Sequence, residues 1–216
     1  MTQSILARAV LLDMDGTLVD STAVVERLWL EWARPHGLEP QRVMEVIHGR
    51  QGHQSMSILL PERDHAVNIA ENAQMLAREA TDVDGVVEIA GAADLLRALH
   101  EIPHAIVTSA DVTLMTARMQ AAGLTVPALT VTAESVTASK PDPEGFLLGA
   151  RMLGIAPEDC VVFEDSAAGV QAGLAAGMRV IGVGVPARAH GATHAVDDLT
   201  QVRIAVRAEG IELTLP

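Results

Sequence analysis

The sequence predicts an α/β protein: a doubly wound parallel sheet with helices on both faces and a helical segment inserted after the first strand. Three observations carry this. From about residue 85 onward, short apolar runs alternate with segments of helical period. Glycines stand where those helices should stop, at Gly123, Gly154 and Gly177. Between roughly residues 18 and 84 the apolar residues recur at helical spacing throughout, with no strand-like run. In a Rossmann-like sheet of this kind, ligands bind beyond the carboxyl ends of the strands.

Ala9-Val10-Leu11-Leu12 reads as the first buried strand. After Gly16 the period changes. Val24, Val25, Leu28, Trp29, Trp32 and Ala33 share a helical face, with Ser21 or Thr22 as N-cap and Gly37 as the stop. Further helices are expected over about 40–47 and 54–60, and Pro61 opens a fourth that reaches about residue 80. Thr81-Asp82-Val83-Asp84-Gly85 suits a return linker. Strands are then expected over 104–108, 128–131, 160–163 and 179–183, and helices over 92–100, 112–122, 144–153 and 167–176. The tail, with 202–206 and 211–215, has the weakest pattern. The expected organisation is a core from residues 1–17 and 85–216 and a helical domain over 18–84.

Composition narrows the function. Apolar residues make up 49% of the 216, enough for a sizeable core, but aromatics are only 2%, so that core must be aliphatic. The same scarcity argues against a base-stacking surface. A net charge of −13 disfavours nucleic acid and anionic membranes as partners. An anionic substrate would therefore need local cations. Cys160 is the sole cysteine and lies in an apolar run, which reads as a core thiol. No apolar run approaches the roughly 18 to 20 residues of a membrane span, and residues 1–8 lack a signal-peptide core. A cytoplasmic protein is expected, as a monomer or weak dimer.

The chemistry gathers at the strand ends. Asp13 and Asp15 follow the first strand and project to the same side. Thr108-Ser109 follow the second, Lys140 lies after the weak third, and Glu164-Asp165 follow the fourth. In a doubly wound sheet these ends meet on one rim. Two acids so close repel unless a cation lies between them or one takes a proton. Several carboxylates can hold Mg²⁺, a hydroxyl pair can bond phosphate oxygens, and a lysine can offset the charge of a phosphoryl transition state.

The chain resembles the haloacid-dehalogenase superfamily of aspartate-nucleophile phosphatases. The residues that carry the resemblance are Asp13-Met14-Asp15-Gly16-Thr17-Leu18-Val19-Asp20-Ser21, Ile106-Val107-Thr108-Ser109, Ser139-Lys140-Pro141-Asp142-Pro143, and Val162 to Val170 with Glu164-Asp165 at its centre. They occur in the family's order. The resemblance implies that Asp13 is the nucleophile and Asp15 the acid and then the base. It implies that Asp13, the main-chain carbonyl of Asp15, and Asp165 bind Mg²⁺, with Glu164 behind them or bound through water. It also implies that Thr108 and Ser109 hold the phosphate and that Lys140 bridges nucleophile and phosphate while keeping Asp13 ionised. The helical insertion resembles that family's small cap. Two departures are visible: Ala90-Gly91 replaces a frequent Pro-Gly pair, and Ala110 after the hydroxyl pair offers only its backbone N–H.

The cap sets the substrate reading. His48-Gly49-Arg50-Gln51 follows a predicted helix and precedes Gly52, so these residues can reach a polar substrate. The segment from Glu26 to Arg50 is similar to caps of sugar-phosphate and glycerol-phosphate phosphatases. Hydrolysis of a small sugar or polyol phosphate is therefore expected. A β-phosphoglucomutase-like mutase is one alternative. That family carries a cap histidine about ten residues past the second aspartate, where this chain has Val25. A non-catalytic phosphate-binding module is the other. Three further motifs fail. Gly16 comes too early for an EF-hand, Gly182-Val183-Gly184 lacks a third glycine, and Pro103 breaks the helix that a zinc site at His100 and His104 would need.

Overall fold

The computed structural model describes residues 2–208 and 210–216. The chain enters through β1 (Gln3–Ala7) and β2 (Ala9–Leu12). All four residues of β2 are fully buried, as a central parallel strand requires. A short β3 (Val19–Asp20) precedes the insert, which comprises α1 (Thr22–Ala33), α2 (Pro40–Met44), α3 (Gly52–Leu59) and α4 (His65–Thr81). β4 (Val87–Glu88) returns antiparallel to β3, so a two-stranded ribbon ties the insert's exit to its entry. Alternation then follows: α5 (Ala92–Ala98), β5 (His104–Val107), α6 (Val112–Ala121), β6 (Thr130–Val131), α7 (Glu144–Leu153), β7 (Cys160–Glu164), α8 (Ala167–Ala175), β8 (Arg179–Val183), α9 (Val185–Ala189) and β9 (His194–Val196). The chain ends in β10 (Arg203–Arg207) and β11 (Gly210–Leu215).

The main sheet has the order β6-β5-β2-β7-β8-β9, and every pair in it is parallel. β2 therefore lies inside, flanked by β5 and β7, and its carboxyl end opens between theirs. Successive side chains of these strands go to opposite faces. Val10, Leu12, Ile106, Val161 and Phe163 join one core cluster, while Ala9, Leu11, Ala105, Val107 and Val162 join the other. The core is aliphatic, as composition demands, with Phe146 and Phe163 as its only phenylalanines. The insert has a core of its own, in which Trp29, Val43, Ile47, Met56, Leu59 and Met75 are buried. Each such large apolar side chain contributes about 1.5–3 kcal/mol on burial. Among the described residues no helix is long and apolar enough to cross a membrane.

The structure departs from the predicted elements in several places. α4 starts at His65 rather than at Pro61, because the Asp64 carboxylate caps it by accepting from the Ala66 N–H at 2.9 Å. Residues 18–84 are not wholly helical, since β3 lies at their start. α9 and β9 were not expected. Nor was the antiparallel sheet β1-β11-β10, in which Gln3 pairs with Leu215.

Candidate active site

The turn after β2 creates the floor. The Asp13 N–H donates to the Phe163 carbonyl at 3.0 Å, continuing the ladder by one residue. The chain then folds over: the N–H groups of Leu18 and Val19 both donate to the Met14 carbonyl, and that of Gly16 donates to Val19. Met14 is fully buried, so the two acids that flank it face away from the core. Gly16 has φ +82°, and a Cβ there would lie 2.0 Å from Asp165 Oδ2. Only glycine meets both conditions.

Asp13, Glu164 and Asp165 can each offer a carboxylate oxygen with all three within 4.8 Å of one another. Lys140 is buried beside them. Its ammonium donates to Asp13 Oδ1, to Glu164 Oε1 at 2.7 Å and to the Val107 carbonyl at 3.1 Å, which uses all three of its protons. The Glu164 carboxylate also accepts from the Ser166 N–H and hydroxyl at 2.8 and 2.9 Å. Burial pushes the Asp13 carboxyl up to about 8, against the pull of Lys140, and Glu164 and Asp15 push the same way. Burial, then Glu164 and Asp13, hold Asp165 well above the carboxylate range. Burial alone would lower the Lys140 ammonium, but Asp13 and Glu164 outweigh it and hold it up. Lys140 pulls Asp13 toward its charged form, and burial outweighs that pull. Three clustered acids against one ammonium retain a proton unless a second cation joins them.

Above this floor the insert closes a cavity. Asp13, Asp15, Thr108, Ser109 and Asp165 line it from the core, and Val25, Trp29, His48, Gly49, Arg50, Asn72 and Glu79 from the insert. Lys140 and Gln51 lie instead along a neighbouring crevice, which shares Thr108 and Ser109 with the main cavity. The Thr108 hydroxyl accepts from the Ala110 N–H at 3.1 Å. The Ser109 hydroxyl donates to the Gly49 carbonyl at 3.3 Å, and Gln51 donates to the Ala133 carbonyl at 3.3 Å. Arg50 turns back to the Val46 carbonyl at 3.2 Å. Of the predicted cap group, then, His48, Gly49 and Arg50 reach the cavity and Gln51 does not.

The side chain of Asp15 stands apart from the acid cluster. The Ser21 hydroxyl donates to its Oδ1 at 2.7 Å, and Arg118 Nη1 lies 2.8 Å from its Oδ2. Ser21 does occupy the N-cap position of α1, yet its hydroxyl makes no cap bond there. Arg118 Nη2 reaches Glu79 Oε2 at 2.6 Å. The sequence reading missed Glu79 and Arg118. A signal was present: each continues the buried face of its helix, one turn after Met75 and Leu114 respectively.

The central strand of the parallel sheet thus brings Asp13 to a buried lysine and a further acid pair, the arrangement expected of a haloacid dehalogenase-like hydrolase. Residues 7–177 match the family model described as haloacid dehalogenase-like hydrolase. The chain belongs to that family. It is 44% identical over 179 residues to hexitol phosphatase A of Escherichia coli (strain K12), covering 82% of this chain and 83% of that protein. It is 30% identical over 181 residues to fructose-1-phosphate phosphatase YqaB of the same organism, covering 79% of this chain and 93% of the relative. Among solved structures, a hydrolase from Pseudomonas syringae is similar with a TM-score of 0.76 at 25% identity, covering 89% of this chain and 94% of the other.

Proposed function

We propose that the protein hydrolyses a small sugar or polyol phosphate through an aspartyl-phosphate on Asp13. The observation that carries this reading is the meeting of Asp13, Lys140, Glu164 and Asp165 beneath a cavity roofed by the helical insert. Similarity to phosphatases named for hexitols and fructose 1-phosphate supports the substrate class. The insert, residues 18–84, acts in this reading as a cap domain over a core of residues 1–17 and 85–216. A cytoplasmic monomer or weak dimer goes with it, which fractionation and light scattering check.

The chemistry of the acid cluster fits Mg²⁺: hard oxygen donors, close together, carrying more negative charge than Lys140 offsets. Asp13, Asp165 and the Asp15 carbonyl would hold the ion, with Glu164 behind them on Lys140 and Ser166. When bound, Mg²⁺ supplies positive charge against the phosphate oxygens. Asp13 attacks phosphorus, the P–O bond to the alcohol breaks, and Asp15 gives its proton to the leaving oxygen. Asp15 then takes a proton from the water that attacks the aspartyl-phosphate, which restores Asp13 and frees phosphate. Thr108, Ser109 and their backbone N–H groups hold the phosphate. Lys140 steadies Asp13 from behind and reaches phosphate by releasing one of its present acceptors. His48, Gly49 and Arg50 meet the sugar or polyol.

Val25 lines the cavity where a mutase would carry its cap histidine, and an apolar side chain there cannot move a proton to a hydroxyl. The test is phosphate release across sugar and polyol phosphates with Mg²⁺, hexitol phosphates first. Release should vanish in Asp13→Asn and under chelation, and Arg50→Ala should alter KM on the preferred substrate. A wild-type protein that releases no phosphate from any of these compounds would sink the reading.

A further inference from the structure

Both ends of the insert converge on one carboxylate. Ser21, just before α1, donates to Asp15 Oδ1. Glu79, near the end of α4, reaches Asp15 Oδ2 through a single residue, Arg118 of α6. Arg118 is 3% exposed, and its guanidinium spans the core and the insert: one terminal nitrogen lies 2.8 Å from Asp15 and the other 2.6 Å from Glu79. Its Nε–H, also buried, has no acceptor. A planar fork can hold two carboxylates at once, and a lysine cannot. α4 and α6 also make extensive contact, so this pair is part of a real packing surface. Buried ion pairs of this kind are poor sources of stability in themselves. Here the third partner is the acid that must point at a leaving oxygen.

We propose that Arg118 is a positioning residue for proton transfer by Asp15, and that Glu79 sets Arg118 only when α4 is seated on α6. Asp15 would then be aimed only when the cap is closed over substrate. Arg118 touches no reacting atom; it acts through the direction of the Asp15 carboxylate. The inference rests on the reading of Asp15 as the proton donor.

Leaving-group dependence tests it. An alkoxide needs a proton as it leaves, whereas p-nitrophenolate leaves without one. First-turnover release of the alcohol is measured by rapid quench with Mg²⁺, using sorbitol 6-phosphate and p-nitrophenyl phosphate. Asp15→Asn should lower the ratio of the two rates, sugar to aryl, at least about tenfold. Arg118→Lys should lower it by about ten to a hundredfold, as a misplaced catalytic group does. Glu79→Gln, the milder change, should lower it by roughly tenfold and serves if the Arg118 variant does not fold. A staple that only holds α4 to α6 would slow both substrates alike and leave the ratio unchanged, which would overturn the proposal. If Asp15→Asn itself leaves the ratio at the wild-type value, the reading of Asp15 as acid falls, and this inference with it.

Discussion

At the scale of single residues, Asp13 is held between opposing forces. Lys140 favours its charged form, while burial and two neighbouring acids oppose it, and the acids and burial prevail. A second cation at the cluster would add to what the lysine begins. Gly16 is the other residue on which the site turns. Its positive φ costs an L side chain roughly 1–2 kcal/mol, and a methyl group would overlap the Asp165 carboxylate. Gly16→Ala should retain a cooperative thermal transition while losing at least about a hundredfold in kcat/KM, since a displaced Asp165 misplaces the whole cluster. Wild-type kinetics in that variant would show that Asp165 has room to move without consequence.

Among the elements, the loop between α2 and α3 meets the core closely. Gly49 has φ +78°, and a Cβ on it would lie 2.1 Å from Ser166 Oγ, at the start of α8. Gly49→Ala should keep this loop from seating. A loss of about tenfold or more in kcat/KM is expected by steady-state assay, with only a few degrees off the melting temperature. Unaltered kcat/KM would mean that the loop need not seat for turnover. The core elements were legible because β2, β5, β7 and β8 are short apolar runs buried on both faces, with polar residues only at their ends. The antiparallel sheet was hidden for a physical reason. β10 alternates Ile204 and Val206 with Arg203 and Arg207, but none of its residues is fully buried, so its apolar face is short and weak. β11 does alternate, with Ile211, Leu213 and Leu215 buried, and that period-two signal was available. Within the site, Asp13, Thr108, Lys140, Glu164 and Asp165 were legible as strand-end chemistry. Glu79 and Arg118 each show a local sign, a charge on the buried face of a helix, but their pairing spans 39 residues of chain and leaves no pattern that joins the two.

At the scale of the whole molecule, buried acids govern the response to pH. Burial raises Asp13 from 3.8 to about 8 and lifts Asp165 well above 3.8. Between those limits the folded chain holds more protons than the unfolded one, so unfolding free energy falls as pH rises. The histidines with shifted values, His48, His53 and His194, all move down from 6.5, so above about pH 7 they no longer contribute. Metal-free protein should therefore melt at a lower temperature at about pH 8.5 than at about pH 7. Saturating Mg²⁺ should raise the melting temperature more at the higher pH, where it displaces fewer protons. Calorimetry with and without chelator checks both, and a metal-free protein that gains stability with pH over this range would contradict the burial argument.

The acid cluster also dictates an order of events. Asp13, Glu164 and Asp165 gather around one ammonium at the floor of the cavity, on a chain that carries −13, and burial pushes the Asp13 and Asp165 carboxyls toward their protonated forms. A divalent ion held there would take the place of those protons and supply positive charge toward a phosphate dianion. Under the proposed chemistry, loading would then run ion first and phosphoester second. The availability of the ion would in that case gate whether the protein holds its substrate, ahead of any effect on how fast it cleaves it.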